Sequence, residues 1–314
     1  MGAWASAFIR QDTPVSIWVC GEVLIDLLPG TPDRIAVVGG GPANTAKSLG
    51  RLGHDVYFID GISTDHYGVD ARAELLNDNV KLDLALTSDK PTCLAIVSLG
   101  PDGGATYEFK IDGTATFDFS LDWLPDPSTH KPSVLHIGTL VTIIEPGASV
   151  LYDWALQVAE FAPIIFDPNI RPSVMGDRAR YQAAVEKWAA ISSAIKVSDD
   201  DLLWLYPNEE KEDVCRRWVR DGAALVVMTR GANGMVGFTE FGREEVPGVK
   251  IEVADTVGAG DTVGAVIVEA MIDHGIMALE GDQLKTVLMR AAAAAAITVS
   301  RKGAQPPYKH ELKK

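Results

Sequence analysis

The sequence predicts an α/β fold: a doubly wound, mostly parallel sheet flanked by helices, with a small β-sheet lid. Three observations carry this. Short apolar runs alternate with longer stretches of helical periodicity, the pattern of βαβ units. Glycine loops stand between an extended stretch and a helical one at two distant places, 39–41 and 258–260. One segment breaks the alternation. Residues 92–99 and 105–111 flank Pro101-Asp102-Gly103-Gly104 and read as a β-hairpin.

In chain order, 17–28 reads as a first buried strand with a polar interruption at Glu22 and Asp26. A turn-rich insertion follows at 29–34. Residues 42–52 form a helix after a glycine loop, 56–59 a short apolar strand and 67–76 a helix. After the hairpin come a strand at 134–137, a helix at 147–161, a strand at 164–166, a helix at 178–191 and a strand at 194–197. Helices at 199–206 and 209–220, a strand at 225–228 and helices around 260–275 and 282–300 complete the alternation. The two β-rich excursions, about 27–38 and 92–118, suggest the lid. A lid excludes water, which competes with a substrate hydroxyl for a phosphoryl group.

Composition narrows the function. The chain has 314 residues, 47% of them apolar, enough for one large α/β domain or two ordinary ones. A net charge of −15 argues against a nucleic-acid or anionic-membrane surface as the main partner. The three cysteines, Cys20, Cys93 and Cys215, are far apart and lie in or near apolar segments, which suits buried, reduced thiols in a cytoplasmic protein. Residues 1–14 carry one Arg and no long apolar core, so they read as a leader rather than a signal peptide. The Ala-rich run at 291–296 is too short for a membrane span.

Five constellations carry chemistry. Asp255-Thr256-Val257-Gly258-Ala259-Gly260-Asp261-Thr262 places small residues and a carboxylate at the start of an apolar helix. A helix start offers unpaired N–H groups and partial positive charge, so it holds anions. Asp261 adds a proton acceptor beside that site, as phosphoryl transfer to a hydroxyl requires. The spacing excludes a dinucleotide loop, because Val263 stands where a third glycine belongs, and no Gly-Lys-Ser/Thr follows for a P-loop. Gly39-Gly40-Gly41-Pro42-Ala43-Asn44 is a strand–helix turn or, with Asp26 at the end of the first strand, a polyol site. Asp167-Pro168-Asn169-Ile170-Arg171 follows an apolar run and is a binding edge or an Asx-turn with a local ion pair. Lys196-Val197-Ser198-Asp199-Asp200-Asp201 caps a helix or, through Ser198 and Asp201, helps place Mg²⁺–nucleotide. Thr229-Arg230-Gly231-Ala232-Asn233-Gly234 is a tight turn that can also meet phosphate or ribose.

On these motifs the chain resembles the PfkB, or ribokinase-like, family of carbohydrate kinases over about residues 16–308. The 255–261 segment matches the family's C-terminal signature and 39–44 resembles its N-terminal one. The resemblance implies a ribokinase-like kinase domain at 16–308. It makes Asp261 the catalytic base and the backbone of Gly258, Ala259 and Gly260 the anion hole. Asp26, Gly40, Gly41, Asn44, Lys110, Asn169 and Arg171 would bind the sugar. Lys196, Ser198, Thr229, Gly231, Gly234, Ala296, Gly303 and Ala304 would lie along ATP. Asp201 would act on Mg²⁺ through water, and Asp255 with the Val257 carbonyl would be the first candidates for a monovalent cation, K⁺. Asp167-Pro168-Asn169-Ile170-Arg171 is similar to the D-x-N-x-R element of the fructokinase and 2-keto-3-deoxygluconate kinase branch, and Gly21-Glu22-Val23-Leu24-Ile25-Asp26 is fructokinase-like. Lys110 stands where fructokinases usually carry an Arg, and it cannot replace a bidentate guanidinium. Ser198 and Asp201 stand where many relatives have Asn and Glu. The resemblance therefore implies phosphorylation of fructose. 2-Keto-3-deoxygluconate, ribose or a nucleoside are alternative substrates, and a non-catalytic sugar-binding protein is the reading from a different class. It also implies pairing of two copies through the lid.

Overall fold

The computed structural model describes residues 15–30, 32–99 and 105–312. The leader at 1–14 and the hairpin turn at 101–104 lie outside the described residues. The elements are β1 (Ile17–Cys20), β2 (Leu24–Leu28), β3 (Ile35–Gly39), α1 (Gly41–Arg51), β4 (Val56–Ile59), β5 (Gly61–Ser63), α2 (His66–Asn77), β6 (Val80–Lys81), β7 (Leu86–Ser88), β8 (Leu94–Leu99), β9 (Ala105–Lys110) and α3 (Pro127–His130). They continue with β10 (Val134–Gly138), α4 (Gly147–Val158), β11 (Ile164–Asp167), α5 (Arg178–Ala189), β12 (Ala194–Ser198), α6 (Asp199–Leu205), α7 (Lys211–Arg220), β13 (Leu225–Thr229), β14 (Met235–Thr239), β15 (Gly242–Val246), α8 (Ala259–His274) and α9 (Gly281–Val299).

The main sheet runs β15-β14-β13-β12-β11-β10-β1-β4-β6. It is parallel from β13 to β6, and β14 and β15 close one side antiparallel. The chain builds outward from β1 to β4 and β6, then returns to the other flank of β1 with β10. The order therefore reverses between β1 and β10, where open α/β sheets leave a crevice at their strand carboxyl ends. Central strands are apolar on both faces because helices cover both sides. In β1, Ile17 and Val19 face one core with α1, α8 and α9, while Trp18 and Cys20 face the other with α4 and α5. Burying one such Val or Ile contributes about 1.5–3 kcal/mol. Trp18 stacks on Trp154 with ring centroids 5.8 Å apart. The Trp154 indole N–H donates to the Pro125 carbonyl at 2.9 Å, so its polar end is satisfied too.

Two expectations need correction. Residues 17–28 are not one strand. The chain turns at Gly21 and Glu22, and β2 joins a second sheet of order β3-β2-β8-β9. Gly21 sits at φ 148°, and a side chain there would meet the Pro42 ring, so the turn calls for glycine. Asp26 consequently lies in the middle of β2, opposite Val37 and Ala95, not at the end of the first strand. The edge strand β15 was not anticipated either. Its Arg243, Glu244 and Glu245 are too charged to read as a strand, but such charges suit an exposed sheet edge. The small sheet pairs β8 with β9 antiparallel, and its last residue is Lys110. The chain then returns through 111–118, where Ala115, Thr116 and Phe117 are buried against the main body. Among the described residues no helix is long and apolar enough to cross a membrane.

Candidate active site

The N-termini of α1 and α8 converge at the strand-order reversal. Asp261, in the first turn of α8, is 8% exposed. Its Oδ2 accepts from Asn44 Nδ2 at 2.9 Å, and its carbonyl accepts from Thr45 Oγ1 at 3.4 Å, so α1 and α8 are bonded to each other at the site. Burial pushes the Asp261 carboxyl up to about 6. Lys196 opposes that rise, Asp167 adds to it, and Asn44 and Arg171 oppose it.

The loop before α8 is built for close approach. Gly258 is the N-cap at φ 80°, and a Cβ there would stand 2.7 Å from the Ala304 Cβ. Its carbonyl accepts from the Thr262 N–H and hydroxyl, both at 2.9 Å. Among the described residues the N–H groups of Gly260 and Asp261 have no backbone acceptor, so they are free for an anion. Asp255 holds the loop from below: Oδ1 accepts from the Val257 N–H at 3.1 Å and Oδ2 from the Gly303 N–H at 2.9 Å. Ala304 is fixed in turn by Lys47, whose buried ammonium donates to its carbonyl at 3.3 Å and pairs with Glu74. Gly258→Ala is expected to cost about 1–3 kcal/mol of stability through strain at positive φ. Turnover should fall about 10²-fold or more as the anion donors move. Thermal melting and an ADP-release assay on the variant check both.

Lys196 closes one side. It is 4% exposed, pairs with Asp167 Oδ2 at 2.7 Å, and lies 2.9 Å from where a Cβ on Gly260 would stand. β11 and β12 are neighbours, so their carboxyl ends set this pair beside the anion loop. Asp167 Oδ1 is buried with no partner among the described residues.

The facing side gathers the sugar candidates. Asn169, at φ 37°, places Nδ2 2.8 Å from where a Cβ on Gly41 would stand, with Asp261 Oδ1 at 3.3 Å and Thr139 Cγ2 at 3.1 Å from that point. Only a glycine at 41 leaves that space open. Gly40 forms the N-cap of α1, and its carbonyl accepts from the Asn44 N–H at 2.9 Å. Asn44 Oδ1 is buried without a partner among the described residues. Burial raises Asp26 to about 6, and the nearby Arg171 guanidinium opposes this. Arg171 is solvent-exposed, and its charge also acts on Glu22 and Asp261.

Other candidates have different surroundings. Ser198 and Asp201 form a capping box at the start of α6, with bonds of 3.0 and 3.2 Å. Asp201 Oδ1 also accepts from the Ile170 N–H at 3.0 Å, so both carboxylate oxygens already hold backbone donors. Thr229 is register partner to Ser198 at the end of β13, and Gly231 and Gly234 form the turn that follows. Ala296 lies on α9, close in sequence to the 303–304 tail. Lys110 is not drawn into the cluster: it pairs with Glu108 on its own strand, and both are more than half exposed. Among the described residues no group of three or more His, Cys, Asp or Glu is placed to hold a metal.

Residue reading alone missed Asp167 as the partner of Lys196, and it missed Glu22 and Thr139. Glu22 and Thr139 follow β1 and β10, so only the strand order reveals that they meet.

Comparisons with known proteins agree with this geometry. The model of the pfkB family carbohydrate kinases matches residues 31–311. A fructokinase of Rhizobium leguminosarum bv. trifolii is 35% identical over 260 residues, covering 81% of this chain and 79% of the relative. The fructokinase of Xylella fastidiosa with bound ATP superposes with a TM-score of 0.85 at 24% identity, covering 95% of this chain and 97% of that one. A double-mutant fructokinase of Vibrio cholerae O395 in fructose-, ADP- and potassium-bound form gives 0.83 at 23% identity, covering 94% and 95%. With a motif-bearing anion loop, a buried carboxylate at its helix start and a family match over most of its length, this chain belongs to the pfkB family of carbohydrate kinases.

Proposed function

We propose that this kinase transfers the γ-phosphoryl of ATP to a hydroxyl of fructose. The observation that carries the reading is the placement of Asp261. Its carboxylate stands beside the free N–H groups of a helix start, bonds Asn44, and has Asn169 and the Arg171 charge nearby. The fructose assignment rests on the relatives named fructokinase.

In this reading the sugar lies against Gly40 and Gly41, where Asn44 Oδ1 and Asp26 accept its hydroxyl protons and Asn169 donates. Asp261 orients the attacking hydroxyl and takes its proton as the phosphorus–oxygen bond forms. The transferred phosphoryl rests on the Gly258–Gly260 backbone with Lys196 alongside, so positioning and charge stabilisation supply the catalysis. The glycine cradle fits a phosphate, and the orphan Asp167 Oδ1 fits a hydrated cation or hydroxyl. When bound, Mg²⁺ would neutralise phosphate charge. Asp201 and Asp167 border that region. A monovalent cation at Asp255 and the Val257 carbonyl is tested by exchanging K⁺ for Na⁺ during turnover. The small sheet acts as the lid and the pairing edge between two copies. Light scattering on a sizing column reads that pairing as a doubled mass.

A sugar acid is less well served. The Arg171 charge is shared among Asp26, Glu22 and Asp261, and Lys110 is paired with Glu108, so neither is reserved for a substrate carboxylate. An ADP-release assay over fructose, 2-keto-3-deoxygluconate, ribose and a nucleoside tests the reading. Fructose should give the highest kcat/KM. Saturable fructose binding with no ADP release would point instead to a non-catalytic sugar-binding protein.

A further inference from the structure

The strand-order reversal brings together two buried residues that the phosphoryl transfer above does not use. Glu22 follows β1 and Thr139 follows β10, and each is 3% exposed. Thr139 sits at φ 59°, an unfavourable conformation for a β-branched residue, so its surroundings must hold it there. Part of that hold is the Thr142 hydroxyl, which donates to the Thr139 carbonyl at 2.6 Å.

The Thr139 hydroxyl has one proton and two close oxygens: the Gly138 carbonyl at 2.8 Å and Glu22 Oε1. A carbonyl can only accept. If the Thr139 proton goes to Gly138, the bond between Thr139 and Glu22 requires a proton on Glu22. The second carboxyl oxygen, Oε2, is buried with no partner among the described residues. A buried anion would need that oxygen satisfied; a neutral carboxyl leaves it at smaller cost.

We propose that Glu22 is a proton-carrying positioning residue: its neutral carboxyl donates to Thr139 and thereby fixes the sugar-facing wall formed by Thr139, Gly41 and Asn169. Thr139 Cγ2 and Asn169 Nδ2 lie 3.1 and 2.8 Å from the same point beside Gly41, so a displaced Thr139 disturbs that wall directly. The proposal rests on the sugar-kinase reading.

The surrounding groups agree with a neutral Glu22. Asp60, just past β4, receives the Val23 and Gly61 N–H groups at 2.9 and 2.8 Å, yet burial holds its carboxyl well above the ordinary range and a charge on Glu22 adds to that rise. The two buried carboxyls therefore disfavour being charged together. Arg171, after β11, favours the Glu22 anion, and Asp26 on β2, Cys20 on β1, Cys93 before β8 and Tyr181 on α5 complete the titratable neighbourhood. Burial is the largest effect and lifts Glu22 to about 7, against the pull of Thr139, of the Glu22 and Leu140 backbone N–H groups and of Arg171. Ionisation above that pH leaves Thr139 with two acceptors competing for one proton.

The test measures KM and kcat for fructose from about pH 6 to about pH 9. In the wild type, KM should rise about three- to tenfold as pH passes about 7, with kcat changing less than about twofold. Glu22→Gln keeps a donor without a titrating proton, so its KM should stay near the low-pH wild-type value throughout. Glu22→Ala should show the raised KM at every pH. Melting curves give a readout independent of any sugar. Because the folded-state value lies above the ordinary 4.5, the stabilisation is complete below 4.5 and is lost as pH rises through about 7. The wild type should lose more melting temperature across that window than Glu22→Gln, which keeps only the loss due to the other raised carboxyls, Asp26 and Asp261. A Glu22→Gln enzyme that follows the wild-type pH dependence, or whose KM matches that of Glu22→Ala, overturns the proposal. Failure of fructose turnover with the melting difference intact would count against the substrate reading and not against the proton on Glu22.

Discussion

Asp261→Asn is expected to lower kcat by about 10²- to 10⁴-fold while fructose and ATP still bind within a few-fold of normal. In the proposed reading the carboxylate takes the hydroxyl proton, whereas Asn44, Asn169, Asp26 and the glycine backbone supply most of the binding contacts. Asparagine is nearly isosteric and can still face Asn44, so the loss should fall on turnover. Burial holds the Asp261 carboxyl near 6, and catalysis needs its anion. Wild-type kcat/KM should therefore fall as pH drops through about 6, and the titration of Asp26 near the same value should steepen that limb. A raised value also means that the folded site disfavours the charge. At pH 7 the Asn variant should consequently melt no lower than the wild type, the pattern expected where stability is given up for function. Steady-state kinetics, calorimetric sugar binding and thermal melting read the three effects separately.

Lys196→Met is expected to be the most damaging change to folding. The ammonium and the Asp167 carboxylate are 5% and 3% exposed and 2.7 Å apart. Removing one member of a buried pair strands the other charge, at about 3–5 kcal/mol. For a chain of this size that is a melting temperature lower by roughly 10 °C. Turnover should fall as well, because Lys196 is the cation nearest Gly260 and one of the groups holding Asp261 down. Removing it should move the acid limb of the pH profile upward. Adding Asp167→Asn to Lys196→Met should recover part of the lost stability, since no unpaired charge remains, but none of the activity. Recovery of turnover in the double variant would show that Lys196 serves the fold alone.

Most of the fold was legible because its cause is local. The runs at 134–137, 164–166, 194–197 and 225–228 are apolar on both faces and separated by amphipathic stretches, and all four became neighbouring parallel strands. The departures have non-local causes. The turn at Gly21 packs against Pro42, which is distant in sequence, and β15 is a strand by pairing along the edge of β14. The same division runs through the site. Asp261 and the glycine loop announce themselves as a helix start with an anomalous carboxylate. The roles of Asp167, Glu22 and Thr139 depend on which strands are adjacent, and strand order is not written in any local pattern. Asp201 has a second role that no local pattern shows: its oxygens hold the Ile170 and Ser198 N–H groups.

Phosphorus NMR of the wild-type enzyme with ATP, Mg²⁺ and fructose tests the central claim most directly. A new phosphomonoester resonance should grow in step with ADP, one for one, because Asp261 directs a sugar hydroxyl at the phosphoryl group held by Gly258, Ala259 and Gly260. ADP accompanied by inorganic phosphate alone would contradict the account. It would mean that water, and not a sugar hydroxyl, occupies the position beside Asp261.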